Sequence, residues 1–452
     1  MGAIPNVPLT RCRYDGAVKQ SRGGTCMKKK LLLACLILVL AVSTGWTRGG
    51  AEEPTGTVYL RFYYPVGVAG DHARIMEEMV RDFNASQDDV FVEAIFSGGY
   101  RETMERAQTA FLSGNAPEVA VLDAPATFDL IEMGAIAPVD DYIEAEGGDA
   151  YISRFLSGFM EIARLDGQTW SIPFQRSTPL FYYNKDHFRA AGLDPDSPPR
   201  TWDDVYSYSQ TLAEHFGPDH WPVQVPINFW LLKPIVLQAG GQLESDDGRS
   251  VAIDTPEMRE AFDYLNGLVR RGYMAPIRQW APSVSDFIAG NVTMLYNSTG
   301  SLTHIENSSD FEVGTAFLPV HRRQVVIEGG GNFFIFNTDQ RRQQAAWKFI
   351  TWMTNAENAA RWSIRSGYVA VREDSYDLPL YREHVERTPN AITAFHQLQQ
   401  VEIERNFMTY QQAQLAELLN EMKEDILGGA DVDTTLREAQ RAADAILARF
   451  QR

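Results

Sequence analysis

The segment Phe174-Gln175-Arg176-Ser177-Thr178-Pro179-Leu180-Phe181-Tyr182-Tyr183-Asn184 joins a polar stretch to an apolar one across a proline. Proline fixes φ and removes a backbone donor, so a sheet is not expected to continue through Pro179. The residues after it predict a strand, and Thr201 to His215 predicts a helix. The segment therefore predicts a crossing from one lobe of the protein to another, and a hinge at which a ligand binds.

The residues before this crossing predict an α/β lobe. Val58–Tyr64 and Val90–Phe96 are strands by their apolar pattern, and Val119–Leu122 is a short, wholly apolar strand. Amphipathic helices separate these strands, which is typical of a doubly wound α/β fold. Ligands bind such sheets at the carboxyl ends of strands, where Tyr100 and Asp123 fall.

The residues after the crossing predict a second α/β lobe with a mostly helical C-terminal part. Glu328-Gly329-Gly330-Gly331-Asn332 predicts a further crossing, because three glycines permit unusual φ angles and close backbone approach. We therefore expect two doubly wound α/β lobes joined by hinges. The predicted ranges are an upstream extension and signal peptide (1–50), an N-terminal lobe (51–175 plus 297–330) and a C-terminal lobe (176–296 plus 331–452).

The N-terminal segment predicts export. Met27-Lys28-Lys29-Lys30 precedes an unbroken apolar run from Leu31 to Val42, a secretory signal pattern too short for a transmembrane helix. The chain has three cysteines, and all lie in or before this run. Only four apolar residues precede Cys35, so cleavage near Ser43–Gly50 is favoured over lipid attachment at Cys35. A periplasmic protein without disulfides is expected.

Composition and motifs exclude several functions. The formal net charge of −18 argues against binding to nucleic acid or anionic lipid. The sequence has no His-Glu-x-x-His, no Gly-x-Ser-x-Gly and no phosphate loop, and its eight histidines are scattered. Neither a metal nor a cofactor is expected. The pairs Asp140-Asp141 and Asp203-Asp204 are interpreted as solvated residues rather than catalytic acids.

The remaining candidates are polar and aromatic residues at the predicted junctions of the lobes. Such side chains bond hydroxyl groups and stack on sugar faces. They are Tyr100, Asp123, Ser177, Trp230, Asn297, Ser298, Gly330 and Tyr368. Each has an alternative: the two tyrosines could pack against turns, the two serines could cap helices, and Trp230 could belong to the core.

The ordered motifs resemble the family 1 extracellular solute-binding proteins of ABC importers. The motifs are Tyr182-Tyr183-Asn184-Lys185-Asp186, Ala191-Gly192-Leu193, Pro199-Arg200-Thr201-Trp202-Asp203, Ser113-Gly114-Asn115-Ala116-Pro117, Ser298-Thr299-Gly300-Ser301-Leu302, and Asn358 to Trp362 with Gly367-Tyr368. Within the family, the branch that binds glycerol 3-phosphate is the most similar. The resemblance covers nearly the whole exported chain.

The resemblance implies two lobes that close around one ligand, and delivery of that ligand to the membrane subunits of an importer. It also implies that the protein is a monomer without enzymatic activity. Matched to the motifs of the branch, it assigns ligand contacts to Tyr100, Ser177, Ser298, Gly330 and Tyr368.

Three departures leave the ligand open between a neutral sugar or oligosaccharide, slightly favoured, and a glycerol 3-phosphate compound. Ala124 replaces the branch's glutamate, although Asp123 is adjacent. The C-terminal arginine that holds phosphate has no counterpart in Gln411 to Leu415. Arg176 replaces a hinge asparagine, and it could bind an anion or form an ion pair. A secreted glycoside-active enzyme and a receptor component that reports ligand remain as alternative functions.

Overall fold

The computed structural model describes residues 56–450, so the predicted signal peptide and the three cysteines lie outside the described residues. The strands are β1 Val58–Tyr64, β2 Val90–Phe96, β3 Val119–Asp123, β4 Arg164–Leu165, β5 Gln168–Thr169, β6 Ile172–Ser177, β7 Pro179–Asn184, β8 Trp221–Gln224, β9 Val292–Ser298, β10 Val313–Ala316, β11 Val325–Ile327, β12 Gly329–Ile335 and β13 Glu402–Glu404.

Helices account for most of the remaining ordered chain. The α-helices are α1 His72–Ser86, α2 Tyr100–Leu112, α3 Thr127–Glu132, α4 Asp140–Ala145, α5 Asp149–Ile152, α6 Ser157–Glu161, α7 Lys185–Ala190, α8 Trp202–Phe216, α9 Phe229–Gln238, α10 Pro256–Arg270, α11 Trp280–Ile288, α12 Leu302–Ser308, α13 Gln340–Met353, α14 Ala356–Ser366, α15 Pro379–Arg387, α16 Thr393–Gln400, α17 Gln412–Leu427 and α18 Val432–Leu447. Short 3-10 helices are Ala124–Ala126, Thr299–Ser301, Glu373–Ser375 and Pro389–Ile392.

The first sheet has the strand order β2-β1-β3-β12-β6. Strand β1 runs parallel to β2 and β3, whereas β12 runs antiparallel to both β3 and β6. Helices α1 and α13 pack on this sheet, and Phe349 of α13 contacts Phe62 of β1 with 5.2 Å between ring centroids. The parallel strands separated by helices confirm the predicted α/β opening.

The second sheet has the strand order β10-β7-β9-β8. Its core includes Phe181 and Tyr296, whose rings meet edge to face at 5.2 Å. Helix α8 begins with the capping box of Thr201 and Asp204, and both reciprocal hydrogen bonds are present. Helices α9, α10, α17 and α18 complete this core, so the C-terminal helices pack with the second sheet.

The chain passes between the two sheets at Thr178. Strand β6 ends at Ser177 in the first sheet, and β7 begins at Pro179 in the second. The chain returns to the first sheet at Glu328, which lies between β12 and β11, a strand that pairs with β13 in a separate two-stranded sheet. Both positions agree with the crossings that proline and glycine indicated in the sequence, and they give the two-lobed α/β architecture that was expected.

Sheet membership follows the predicted lobe ranges only in part. Val313–Ala316 falls in a range predicted for the N-terminal lobe, but it pairs with β7 in the second sheet. Most of Gly329–Ile335 falls in a range predicted for the C-terminal lobe, but it forms the fourth strand of the first sheet. The lobe boundaries themselves stay a prediction.

Candidate functional site

A cavity of about 360 Å³ opens where strands of the two sheets end. Asp123 is the last residue of β3, Ser177 of β6 and Ser298 of β9. The lining residues are Gly67, Val68, Tyr100, Arg101, Met104, Asp123, Ala126, Ser177, Asn228, Phe229, Trp230, Trp280, Ser298, Gly330, Tyr368, Asn406, Gln412, Ala413, Ala416, Glu417 and Asn420. The size and the mixture of aromatic and polar groups suit a small organic ligand.

Seven of the nine residues singled out from the sequence line this cavity, although they are far apart in the chain. They are Tyr100, Asp123, Ser177, Trp230, Ser298, Gly330 and Tyr368. The two exceptions are Asn297 and Arg176, and Arg176 lies behind the wall. Asn297, also considered from the sequence, is buried beside Ser298 and its side chain bonds the Ser298 amide and Ser301.

Trp230 forms an aromatic wall of the cavity. It lies in the first turn of α9, which Asn228 caps by accepting from the Trp230 amide. The indole Nε1 donates to the Glu328 carbonyl at 3.1 Å, and the ring is 6.1 Å from that of Trp280. Trp230 is therefore held in place by the core while remaining partly exposed, which leaves ring surface available for stacking.

Tyr100 and Tyr368 meet in the buried part of the cavity. Burial raises the pKa of both phenols, that of Tyr368 to about 12, so both are neutral donors. Tyr368 stacks on Trp362 with 5.8 Å between ring centroids. The Tyr100 hydroxyl is buried without a hydrogen-bond partner of normal geometry in the described residues, and so is the Trp280 indole Nε1. Both donors therefore lack a regular hydrogen bond, although the Tyr100 hydroxyl faces that of Tyr368.

Asp123 supplies a carboxyl group to the cavity. Burial raises the pKa of Asp123 from 3.8 to about 7, although the charge of Arg176 and the Ala124 amide both favour the ionised form. Near neutral pH this side chain can accept hydrogen bonds as a carboxylate or donate one as an acid.

Arg176 is fully buried and does not line the cavity. It forms an ion pair with Glu328, and its Nη1 donates to the Gly330 carbonyl at 2.9 Å and to Asn332 Oδ1 at 3.2 Å. Of the two alternatives that the sequence left open for Arg176, this geometry matches the ion pair.

Ser177 and Ser298, at the ends of β6 and β9, line the cavity, and Ser298 also caps the short helix that follows it. Ser298 Oγ accepts from the Gly300 amide at 3.1 Å, which is the capping role considered from the sequence. Ser298 and Ser177 nonetheless reach the cavity, where each is nearly buried. Capping and contact with a ligand are compatible, because a hydroxyl oxygen both accepts and donates.

Several lining residues were not singled out from the sequence. Trp280 begins α11 and Asn406 follows β13, and neither stands in a motif. Asn420 and Glu417 lie on α17, and Asn420 Oδ1 accepts from the Phe229 amide at 2.6 Å. The spacing of Gln412, Glu417 and Asn420 along one helix is a weak signal that could have indicated a shared face.

Among residues 56–450, no group of histidine, cysteine or carboxylate side chains is arranged to hold a metal ion. Within the same residues, no helix combines the length and apolar character needed to cross a bilayer.

We predict that Asp123→Asn changes stability in a pH-dependent manner. The folded protein binds the Asp123 proton more tightly than the unfolded chain, so its ionisation lowers the wild-type free energy of unfolding as pH rises from about 4 to 7. Relative to wild type, the variant is expected to gain about 1–3 kcal/mol at pH 8, because the cavity only partly shields the carboxylate, and nearly nothing below pH 4.

Urea unfolding at both pH values measures this difference. Asp71→Asn is the control with the opposite sign, because Arg74 lowers the pKa of Asp71 by hydrogen bonding and charge. The contribution of ionised Asp71 to the free energy of unfolding is therefore present above pH 4 and is lost as pH falls. An equal Asp123→Asn effect at both pH values would mean that ionisation is not its cause.

The fold and the site define the class of two-lobed solute-binding proteins, with a cavity between two α/β lobes. A model of the family described as bacterial extracellular solute-binding protein matches residues 78–389. The chain belongs to this family. Its function as the substrate-binding component of an ABC importer follows from the relatives and structures that share the fold.

The chain is similar to several curated and solved proteins. It is 28% identical over 347 residues to the sn-glycerol-3-phosphate-binding periplasmic protein UgpB of Shigella flexneri, which covers 73% of this chain and 78% of the relative. The structure of UgpB from Mycobacterium tuberculosis in complex with glycerophosphocholine has 25% identity and a TM-score of 0.77, covering 88% of this chain and all of that one. The cyclic alpha-maltosyl-1,6-maltose binding protein of Arthrobacter globiformis, at 24% identity, has a TM-score of 0.73 over 87% of this chain and all of that one, a likeness in fold.

Proposed function

We propose that the protein captures a neutral carbohydrate-like solute, one without a phosphate group, in the cavity between its lobes. This proposal rests on the side chains that form the wall of the cavity. The wall combines aromatic faces with two buried donors that lack a regular hydrogen bond, while Arg176, a buried cation that bonds the Gly330 carbonyl of this wall, is paired with Glu328. A neutral polyol uses hydroxyl bonds and ring stacking and needs no buried cation.

Each part of the wall has a role in this proposal. Trp230 and Trp280 present flat apolar faces to a sugar ring. The Tyr100 hydroxyl and the Trp280 indole donate to ligand oxygens, and Asp123 accepts from ligand hydroxyls. Because the groups come from both lobes, a bound ligand stabilises the closed arrangement and shifts the population toward it.

The closed protein would then dock on the membrane subunits of an importer, with the ATPase subunits behind them. We propose that it does so as a periplasmic monomer, released from the membrane by cleavage of the N-terminal signal. The periplasmic relatives and the signal pattern in the sequence support this location.

A glycerol 3-phosphate or glycerophosphodiester ligand is the second candidate. The relatives named above favour it, and so does Arg101, a cation among the described lining residues. However, Arg101 is exposed and its guanidinium bonds Glu102 and Glu105. A surface cation of this kind contributes little to holding a phosphate.

Thermal unfolding with a panel of maltose-type sugars, glycerol 3-phosphate and glycerophosphodiesters tests the proposal. A ligand at about 100 times its Kd adds about 2.7 kcal/mol to stability, which raises the melting temperature measurably. We expect the rise with a neutral sugar. A rise with glycerol 3-phosphate or a glycerophosphodiester, and with none of the sugars, would contradict the neutral ligand and establish the second candidate.

A glycoside-active enzyme is the alternative that needs two opposed carboxylates. Asp123 and Glu417 both line the cavity. Incubation with oligosaccharides tests this alternative: we expect no release of reducing ends, and release would overturn the binding-protein function.

A receptor component that reports ligand would use the same closed surface as a transport protein. Importer genes adjacent to this one would favour transport.

A further inference from the structure

A buried ion pair lies where the chain crosses between the two sheets. Arg176 is the penultimate residue of β6, and Glu328 is the single residue between β11 and β12. Neither side chain is exposed to solvent. Removing two charges from water is costly, so a pair at this position needs strong local compensation.

The surrounding hydrogen bonds supply part of that compensation, through Arg176 Nη1 and Glu328 Oε1, and connect the pair to the cavity wall. Arg176 Nη1 bonds the Gly330 carbonyl and Asn332. Glu328 Oε1 accepts from the Asn406 amide at 2.8 Å, and the Glu328 carbonyl accepts from Trp230 Nε1. Gly330, Asn406 and Trp230 all line the cavity. The pair therefore lies directly behind the surface that a ligand would touch.

The charge of Arg176 acts on the cavity in spite of its burial. It favours ionisation of both Asp123 and Tyr100, and those two side chains line the cavity. An uncompensated Arg176 would therefore attract an anion placed beside them. In a medium of low effective dielectric constant, a unit charge several ångströms away changes an ionic affinity by a large factor.

We propose that Glu328 determines ligand charge: its carboxylate opposes the charge of Arg176 at the cavity and so keeps phosphate monoesters out. This proposal rests on the proposed function, in which the ligand carries no net charge. Glu328 acts through Arg176 and does not itself line the cavity. Glu328 therefore acts on the ligand only through Arg176. Its removal should change the affinity for phosphate monoesters relative to that for neutral sugars, and should not weaken binding of all ligands equally.

The test compares Glu328→Gln with wild type by calorimetric titration, using glycerol 3-phosphate, inorganic phosphate and maltose as probes. Wild type is expected not to bind the two phosphates. The variant is expected to bind glycerol 3-phosphate at least tenfold more tightly than wild type, with binding that weakens as salt is added. Its affinity for maltose should change by a smaller factor, and a purely structural role would not produce this selective gain.

The matched control is Arg176→Gln with Glu328→Gln, which removes both charges and keeps the side-chain size of Glu328. This double variant should not bind phosphate. If Glu328→Gln alone does not fold, Glu328→Gln with Asn332→Asp places a carboxylate at Asn332, whose Oδ1 lies 3.2 Å from Arg176 Nη1. This second double variant should fold and should not bind phosphate. A gain of phosphate binding in it would overturn the proposal.

The outcomes separate this proposal from the proposed function. Tight glycerol 3-phosphate binding by wild type would contradict the neutral ligand itself. Absence of phosphate binding in both wild type and a folded Glu328→Gln variant would leave the proposed function intact and overturn the role of Glu328.

Discussion

Replacing Gly330 by alanine is expected to destabilise the protein by about 3–5 kcal/mol. Gly330 has a φ of +88°, and a Cβ at this position would lie 1.8 Å from the Gln175 carbonyl oxygen. The obstacle is the backbone of the neighbouring strand β6, which cannot move aside as a flexible side chain can. The variant must therefore separate β12 from β6, at the place where the chain crosses between the sheets.

Gly240→Ala is the matched control for this prediction. Gly240 has a φ of +94°, and nothing lies within 4 Å of a Cβ built there. Its substitution adds the strain of a left-handed conformation without a collision, for which about 1 kcal/mol is expected. Urea denaturation of both variants measures the difference. If the two cost the same, close strand packing at Gly330 is not what requires glycine.

Local sequence patterns predicted most of the fold because they report short-range physics. The interval Val90–Phe96 matches its predicted strand, and helix α8 begins at the capping box of Thr201. Pro179 and the glycines after Glu328 located both crossings. Val313–Ala316 pairs with β7 in the second sheet although it lies in a range predicted for the N-terminal lobe, because strand pairing is set by long-range contacts that a local pattern does not contain.

The site was predictable where a residue follows a strand or stands in a motif, as Asp123 and Tyr368 do. Trp280 was missed because its position depends on how α11 packs on the second sheet. The partner of Arg176 was missed for a related reason. Glu328 is 152 residues away in the chain, and only the adjacent pairing of β6 and β12 brings the two together.

Replacing Trp230 by alanine is expected to weaken binding of a neutral sugar by about 1–3 kcal/mol, or roughly five- to 150-fold in Kd. The reason is the loss of an aromatic face that the Glu328 carbonyl holds in place at 3.1 Å from Nε1. Titration calorimetry with the sugar that raises the melting temperature measures the change. Trp230→Phe keeps a flat face but loses this hydrogen bond, so an intermediate loss is expected.

Trp170→Ala separates loss of binding from loss of stability. Trp170 is also partly buried, and its Nε1 donates to the Leu165 carbonyl at 3.2 Å, but it does not line the cavity. Its removal should lower the free energy of unfolding and leave the Kd unchanged. A Trp230→Ala variant that behaves in the same way would show that Trp230 only packs in the core, and stacking would then have to come from Trp280 alone.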